Sequence, residues 1–530
     1  MTQFNKRSLA KNKILRKKEG LSGIKGILCK VVIGLIFIYY CYNYSNDVNL
    51  VEEWEVRPHP AQFYTTDKVN ITLKVPKVWN PTLRQQLGQN GTRLITPEEA
   101  QLVGTHVTVD GQQLPTIYVG IASYRDFRCV QTLENLFERA KYPQRLFVGI
   151  VDQIDSSGED IPCQLDCTTV GISEEICKHQ IRYYKLEASL SMGPTLARHL
   201  TQRMYKGEYF VLQTDAHMEF LKDWDFHIVK QWQSTQNEMA ILTTYVSNAD
   251  EDHIDKMTGE AKAKIRPFMC DSIYDEDYYD DDRNNKGHMK HDQEPEEEAL
   301  IHGTPMLEPF WAAGFSFARG HFIIQVPYDY YLPMIFQGEE PSIGIRAFTY
   351  GYDFYAPEYS VVFHYYNEKS RKPPPSIQKE KNDTTNKKEK SEGGISLFWE
   401  QENKVFHGKI TLGAMNRLKG IIHTNPEISS YNTIEERVYG LGNVRTTQKY
   451  FDTFGIHPSS HSVEKNLCSF VEKDMHELFT KYLRSNKMGI DYSQITFKFS
   501  GDDPKYDTEF VFTDDEEEEE EEEEEDDKTE

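Results

Sequence analysis

Two residues that can bind a metal ion, Asp215 and His217, follow an apolar run in the segment YFVLQTDAHMEF, residues 209–220. In an extended segment, side chains two residues apart point to the same side, so both can bind one ion. A carboxylate with an imidazole suits a divalent transition ion such as Mn²⁺ better than Ca²⁺, which prefers oxygen ligands alone. The alternative is an Asx turn followed by a surface histidine, and two ligands alone do not make a site.

A third candidate ligand, His364, lies in a second apolar segment, SVVFHYY, residues 360–366. A single histidine at the end of a strand usually has a structural role. Two strand-end signals in one chain strengthen each other, and we therefore treat His364 as a possible partner of Asp215 and His217.

The sequence between these segments contains a small-residue stretch, PFWAAGFSFARG at 309–320, and an acidic pair in FQGEEPSIGIRAFTYGYDFYAP at 336–357. Small residues around Trp311 allow a ligand to approach the backbone. Glu339 and Glu340 begin a predicted helix, where acidic side chains are favourable to the helix dipole. The alternative is that one of them reaches into a pocket and holds sugar hydroxyls.

The elements that must position these residues alternate along the chain from residue 115 onward. Predicted strands cover 116–122, 145–151, 181–187, 209–213 and 240–245. Predicted helices cover 193–205, 223–234 and a segment with Val130, Leu133, Leu136, Phe137 and Ala140 on one face. This order predicts an α/β fold with a mainly parallel sheet and helices on both faces. Such sheets bind ligands at the carboxyl ends of their strands, where Asp215 and His217 lie.

The N-terminal residues predict a membrane anchor. Residues 1–30 carry nine Lys or Arg and one acid, and the uncharged run VVIGLIFIYYCYNYSN follows. We expect a basic cytosolic tail at 1–26, a transmembrane signal anchor at 27–46 and a stem at 47–112. A cleaved signal peptide is the alternative, although no small-residue cleavage site follows the run. The prediction is a single-pass type II protein of the Golgi or ER membrane with a lumenal catalytic body.

Charge and cysteine content describe the rest of the chain. The net charge is −24, but 514–527 is an unbroken acidic run, without which the balance is about −10. A nucleic-acid partner is not expected, because phosphate binding needs a basic surface. We expect a mobile acidic insertion at 250–300, a low-complexity loop at 369–394 and a disordered tail at 501–530. Six cysteines beyond the anchor permit disulfides of unknown pairing, and Cys163, Cys167 and Cys177 could instead suggest zinc.

Six segments in order resemble the polypeptide α-N-acetylglucosaminyltransferases of glycosyltransferase family 60: VGIASYRD, GPTLARHL, YFVLQTDAHMEF, AAGFSFARG, GEEPSIGIRAFTYGYDFYAP and VVFH. The resemblance covers about 115–470. It implies a GT-A fold, with the core at 113–368 and its C-terminal part at 395–500. It also implies transfer of GlcNAc, with retention, from the donor UDP-GlcNAc to a protein hydroxyl, with Asp215, His217 and His364 holding Mn²⁺ against the diphosphate.

The resemblance extends to residues expected around the donor. Glu339 and Glu340 match an acidic pair near the donor sugar. The candidates for binding the nucleotide sugar are Ser123, Arg125, Arg198, Gln213 and Trp311. Arg125 and Arg198 can instead be ordinary ion-pair partners.

The predicted anchor departs from the cytosolic members of this family, which act on hydroxyproline. A lumenal location favours Ser or Thr of secretory proteins as the acceptor. One alternative is a catalytically inactive, membrane-anchored sugar- or nucleotide-sugar-binding protein of the same fold. A metal-dependent hydrolase is the other, and it should show more clustered carboxylates and histidines than two strand ends provide.

Overall fold

The computed structural model describes residues 53–65, 71–156, 160–167, 173–262, 265–276, 286–291, 298–300, 303–366 and 404–499. The described residues from Trp54 onward form one compact unit. The predicted anchor, basic tail, low-complexity loop and acidic tail lie outside the described residues. Within the described ranges, no helix has both the length and the apolarity needed to cross a bilayer.

The centre of the unit is one eight-stranded sheet. Its strands are β1 Ile117–Tyr124, β2 Leu146–Ile154, β3 Ile181–Glu187, β4 Phe210–Asp215, β5 Ala240–Thr243, β6 Met306–Glu308, β7 Phe315–Arg319 and β8 Asp353–Ala356. They lie in the order β6–β8–β5–β7–β4–β1–β2–β3. The five strands predicted from sequence are present, with ends shifted by three residues or fewer.

The sheet is mixed, which corrects the prediction of a mainly parallel one. Six strands run in one direction, whereas β6 and β7 run in the other. All five residues of β7 are buried, so no alternation of polar and apolar residues marks this segment as a strand. The α/β class is confirmed, and the GT-A type stays a prediction.

Eight helices of the described residues are labelled α1 Cys129–Glu138, α2 Glu174–Gln180, α3 Pro194–Arg203, α4 Trp224–Ser234, α5 His321–Gln325, α6 Glu339–Thr349, α7 Lys404–Ile422 and α8 Thr447–Phe454. The three predicted helices correspond to α1, α3 and α4. Short helical turns occupy Pro60–Phe63, Leu83–Gln86, Gly88–Gly91, Pro97–Ala100, Pro143–Arg145, Ala188–Leu190, Glu436–Tyr439, Leu467–Phe470, Val471–Met475 and His476–Thr480.

Six two-stranded pairs complete the described elements. They are Trp54–Pro58 with Thr72–Pro76, His106–Val109 with Gln112–Pro115, Met218–Phe220 with Val362–His364, Ile265–Pro267 with Glu298–Leu300, Ser272–Glu276 with Lys286–His291, and Ile456–His457 with Ser462–Val463. All six pairs are antiparallel.

The described part of the predicted stem is folded against the body and is not an extended stalk. Leu73 and Val75 are buried. The guanidinium of Arg84 donates hydrogen bonds of 2.6 Å to the carbonyls of Ile324 and Gln325 at the end of α5. These buried side chains and backbone contacts place the segment in the same compact unit as the sheet.

The described part of the acidic insertion is also ordered, in contrast to the expected mobile segment. Residues Ser272–Glu276 pair with Lys286–His291, and a disulfide joins Cys270 to Cys468. The ring of His291 stacks on Phe310 with centroids 4.3 Å apart. Residues 277–285 and 292–297 lie outside the described ranges.

The six cysteines beyond the predicted anchor form three disulfides: Cys129–Cys163, Cys167–Cys177 and Cys270–Cys468. The zinc alternative for Cys163, Cys167 and Cys177 is therefore wrong, because the three sulfurs are in disulfide bonds. The first disulfide ties the first residue of α1 to the loop that follows β2.

One glycine on β2 makes the attachment of α3 to the sheet possible. Gly120 of β1 pairs with Gly149 of β2, and the ring of Tyr118 lies over Gly149. The Tyr118 hydroxyl donates to the carbonyl of Thr201 on α3. A methyl group at residue 149 would overlap the Tyr118 hydroxyl, whereas one at residue 120 would lie 3.2 Å from Thr201 Oγ1.

We expect Gly149→Ala to lower the free energy of unfolding by about 2–3 kcal/mol, because overpacking displaces Tyr118 and its hydrogen bond. Gly120→Ala, the control, should cost about 1 kcal/mol or less, since only Thr201 must adjust. Urea unfolding of the purified body measures both. Equal effects of the two substitutions would contradict this account.

Candidate active site

The three predicted metal ligands lie together. Asp215 ends β4, His217 follows two residues later, and His364 ends the strand that pairs with Met218–Phe220. Their candidate ligand atoms all lie within 4.8 Å of one another. Nε2 of His364 is 3.4 Å from Oδ2 of Asp215, and the two imidazole centroids are 4.6 Å apart. The two strand ends identified from sequence therefore form one cluster.

Helix α1 fixes the backbone on both sides of His217. The Thr132 hydroxyl donates to the carbonyl of Ala216 at 2.9 Å and accepts from the N–H of Met218 at 2.9 Å. One turn later, Oδ1 of Asn135 accepts from the N–H of Phe220 at 2.5 Å. Residues three apart on a helix share a face, so α1 presents both side chains to this segment.

A carboxylate to which the sequence analysis assigned no role, Asp126, contacts His217. Oδ2 of Asp126 lies 2.6 Å from Nδ1 of His217, and Oδ1 accepts from the N–H of Arg128 at 2.9 Å. Because a carboxylate accepts, Nδ1 carries the proton and Nε2 is the nitrogen available to a ligand. The sequence signal for Asp126 was the acid of SYRD at the end of β1. Because β1 and β4 are parallel neighbours, the residues that follow them lie near each other.

The residues present fit a divalent transition ion. One carboxylate and two imidazoles form a donor set that Mn²⁺ and related ions accept. The side chains of Asp215, His217 and His364 are 23%, 28% and 14% exposed, so a ligand can reach them from solvent. A methyl group at Gly314 would lie 3.0 Å from Oδ2 of Asp215, so the glycine keeps this side of the cluster open.

Arg198 joins this cluster to the acidic pair. Its guanidinium contacts Oδ1 of Asp215 at 2.5 Å and also pairs with Oε1 of Glu339. Burial favours a raised pKa for Asp215, but Arg198 and the imidazoles of His364 and His217 outweigh it and hold the pKa below its ordinary value. Asp215 is therefore ionised at neutral pH, and the ion-pair interpretation of Arg198 is the one that the structure shows.

Glu339 and Glu340 are more than a charge pair at the start of α6, because both are buried. Glu339 accepts from the hydroxyl of Tyr328 at 2.6 Å. Glu340 accepts from the N–H of Ala313 at 2.9 Å and from the hydroxyl of Tyr245 at 2.5 Å. Burial raises the pKa of Glu340 to about 8 against these two donors, and burial also raises the pKa of Glu339.

Gln213 and Trp311 stand beside this network. Nε2 of Gln213 donates to the carbonyl of Ala313 at 2.6 Å and to the hydroxyl of Tyr328 at 2.9 Å. The buried indole N–H of Trp311 donates to Ser316 Oγ at 2.9 Å. Gln213 thus links the end of β4 to the loop before β7, and the donor-binding role of both residues stays a prediction.

Ser123 and Arg125 lie at the end of β1. Ser123 is buried and pairs in register with Asp152 of β2. The guanidinium of Arg125 forms two hydrogen bonds with Asp160, of 2.8 and 3.1 Å. The ion-pair alternative thus describes Arg125, and a nucleotide role for either residue stays a prediction.

A sequence model of the family "Glycosyltransferase (GlcNAc)" matches residues 116–172 and 164–460. Among curated proteins, no sequence match is significant.

Three solved structures illustrate the structural comparison. TarS of S. aureus is 12% identical, with 47% of this chain and 36% of that chain covered and a TM-score of 0.29. TarS 1–349 of S. aureus in complex with UDP-GlcNAc is 14% identical, with 48% and 59% covered and a TM-score of 0.29. GalNAc-T7 with UDP, GalNAc and Mn²⁺ is 13% identical, with 73% and 68% covered and a TM-score of 0.40. The chain thus spans about a third of full-length TarS.

The raised pKa of Glu340 predicts a pH-dependent effect of Glu340→Gln on stability. An ordinary glutamate loses its proton near pH 4.5, whereas the folded protein retains it until about pH 8. Between pH 4.5 and about 8, the wild type therefore loses stability as the pH rises. Below pH 4.5, Glu340 is protonated in both the folded and the unfolded protein. The variant lacks this titration, so its stability relative to wild type should increase by a few kcal/mol from pH 5 to 8.

Parallel thermal or urea unfolding of wild type and Glu340→Gln at intervals between pH 5 and 8 measures this trend. A difference between the two proteins that stays constant over the whole interval would contradict the assignment.

Proposed function

Because the chain belongs to the GlcNAc glycosyltransferase family, we propose that it is a metal-dependent retaining transferase that moves GlcNAc from UDP-GlcNAc to a protein hydroxyl. The observation that carries this proposal is the convergence of Asp215, His217 and His364 at two strand ends. The guanidinium of Arg198 connects the buried acidic pair, through Glu339, to Asp215 of that cluster. This arrangement offers a cation site beside polar groups that can hold a sugar.

The three ligands and their supports divide the work of binding the donor. When bound, Mn²⁺ would neutralise charge that builds on the departing diphosphate. Asp215 is kept ionised by Arg198, and the imidazole of His217 is held by Asp126. Because these contacts are made within the protein itself, little reorganisation is needed when charge develops.

Retention of configuration is proposed to proceed by displacement on one face of the sugar. Glu339 is engaged by Arg198 and Tyr328, and both oxygens of Glu340 accept hydrogen bonds. Neither carboxylate is presented as a free nucleophile. In the proposed step, the bond from the anomeric carbon to the phosphate oxygen breaks and a bond to the acceptor oxygen forms. The proton of the acceptor hydroxyl passes to the leaving phosphate oxygen.

We further propose that the enzyme is a membrane-anchored member of family 60 in the Golgi or ER and acts on Ser or Thr of secretory proteins. Three disulfides support an oxidising compartment. The basic segment followed by the uncharged run at 31–46 supports an anchor at 27–46. Hydroxyproline is the second acceptor to test, because the resemblance includes enzymes that modify it.

UDP release by residues 47–530 with UDP-GlcNAc and Mn²⁺ tests the transfer proposal. We expect Asp215→Ala and His364→Ala to lower kcat on the order of 10³-fold, because stabilisation of the developing charge is lost. EDTA should abolish turnover and added Mn²⁺ should restore it. His457→Ala, a substitution of an exposed histidine on the strand Ile456–His457, is the matched control and should keep wild-type turnover.

Turnover that survives Asp215→Ala or EDTA would contradict a metal-dependent mechanism. Binding of UDP-GlcNAc without release of UDP, in the presence of Ser, Thr and hydroxyproline peptides, would favour a sugar-nucleotide-binding protein instead.

A further inference from the structure

Asp126 uses both carboxylate oxygens and is not one of the three clustered ligands. Its Oδ2 contacts Nδ1 of His217 at 2.6 Å, and its Oδ1 accepts from the N–H of Arg128. The cluster whose ligand atoms lie within 4.8 Å of one another contains Asp215, His217 and His364 only, among the described residues. Asp126 is therefore outside this cluster and contacts one of its members at Nδ1.

We propose that Asp126 is a positioning residue that sets the tautomer and the ring orientation of His217 for metal binding. This inference rests on the proposed function. A carboxylate at Nδ1 requires a proton on that nitrogen, so Nε2 keeps its lone pair for the ion. A carboxylate behind a metal-binding histidine also raises the basicity of the ligand nitrogen.

The backbone contacts of α1 do not set the orientation of the His217 ring. Thr132 and Asn135 bind backbone atoms on either side of His217, which fixes the path of the chain but not the rotation of the imidazole. Rotation of the ring by half a turn would exchange Nδ1 with Cδ2 and Nε2 with Cε1, with little change in the shape of the ring. The contact with Asp126 favours one of these two orientations.

Asp126 is itself held in place. The N–H of Arg128 binds Oδ1, and the next residue, Cys129, begins α1 and is joined to Cys163. The side chain of Asp126 is 19% exposed, so water competes little for its oxygens. A carboxylate fixed by a helix start and a disulfide is suited to orienting a neighbour.

Asp126→Asn tests the proposal, because the amide keeps the shape but no longer requires a proton on Nδ1. Mn²⁺ binding to the full-length protein, measured by the EPR signal of free Mn²⁺ without nucleotide, should weaken about 10–100-fold. Asp110→Asn, at an exposed turn, is the matched control and should bind as wild type does. Asp126→Glu keeps the charge and should recover most of the lost affinity.

Kinetics supply a second readout that a general loss of structure would not produce. We expect Asp126→Asn to raise the Mn²⁺ concentration for half-maximal rate about 10–100-fold, with kcat at saturating Mn²⁺ restored to within about threefold. If Asp126→Asn does not fold, Asp126→Glu carries the test, with a smaller weakening expected because the added methylene displaces the carboxylate.

Equal Mn²⁺ affinity of wild type, Asp126→Asn and Asp110→Asn would overturn the proposed role. A fall in kcat that saturating Mn²⁺ does not restore would overturn it as well. Mn²⁺ binding by a wild-type protein that releases no UDP would instead contradict the proposed transfer, and the comparison of affinities at Asp126 would still stand.

Discussion

The buried guanidinium of Arg198 is the interaction on which the rest of the site depends. It pairs with Asp215 at the end of β4 and with Glu339 at the start of α6, so one cation joins the sheet edge, α3 and α6. Taking each charge out of water costs several kcal/mol, which only close and complete pairing offsets. Completion comes from Tyr328, which donates to Glu339 and accepts from Gln213. Without the guanidinium, the carboxylates of Asp215 and Glu339 would lie near each other in a poorly hydrated environment. The position of Asp215 at the end of β4 is thus set by the same guanidinium that holds Glu339.

The other two ligands are held by different means. His217 depends on α1, whose Thr132 holds the backbone, and on Asp126, three residues before the start of α1, which contacts the ring. His364 depends on the pairing of its strand with Met218–Phe220, which places it directly opposite Met218. Asp215 is thus held by an ion pair, His217 by contacts with a helix, and His364 by a strand pair. Sites supported in this way are preorganised, because each ligand is fixed by packing and hydrogen bonds before the ion arrives.

The sequence allows the ligands to be predicted but not their supports. Asp215, His217 and His364 could be proposed because each lies at or just after the end of an apolar run. The antiparallel pairing with Met218–Phe220, which brings the strand of His364 to the other two residues, has no local signal in the sequence. The alternation of strands and helices likewise predicts the α/β class. The pairing of Cys270 with Cys468 could not be proposed, because the two residues are 198 apart in sequence and no local pattern connects them. The reversed strand β7 was missed because its residues are all buried and show no alternation. Such contacts between distant residues depend on the whole fold, so no local sequence pattern identifies them.

The division of Asp215 between two partners bears on how ion and donor would bind. Oδ1 contacts Arg198, which leaves Oδ2, 3.4 Å from Nε2 of His364, as the oxygen on the ligand side. A carboxylate already paired with a guanidinium contributes less negative charge to a cation than a free one does. The protein therefore offers an ion one partly neutralised carboxylate oxygen and two imidazoles, which carry no negative charge. On the proposed function, the diphosphate of UDP-GlcNAc would supply the remaining negative ligands, since hard divalent ions commonly combine few protein carboxylates with substrate phosphates. Arg198 thereby keeps Asp215 ionised and oriented. The diphosphate of the donor would then supply the remaining negative charge at the site.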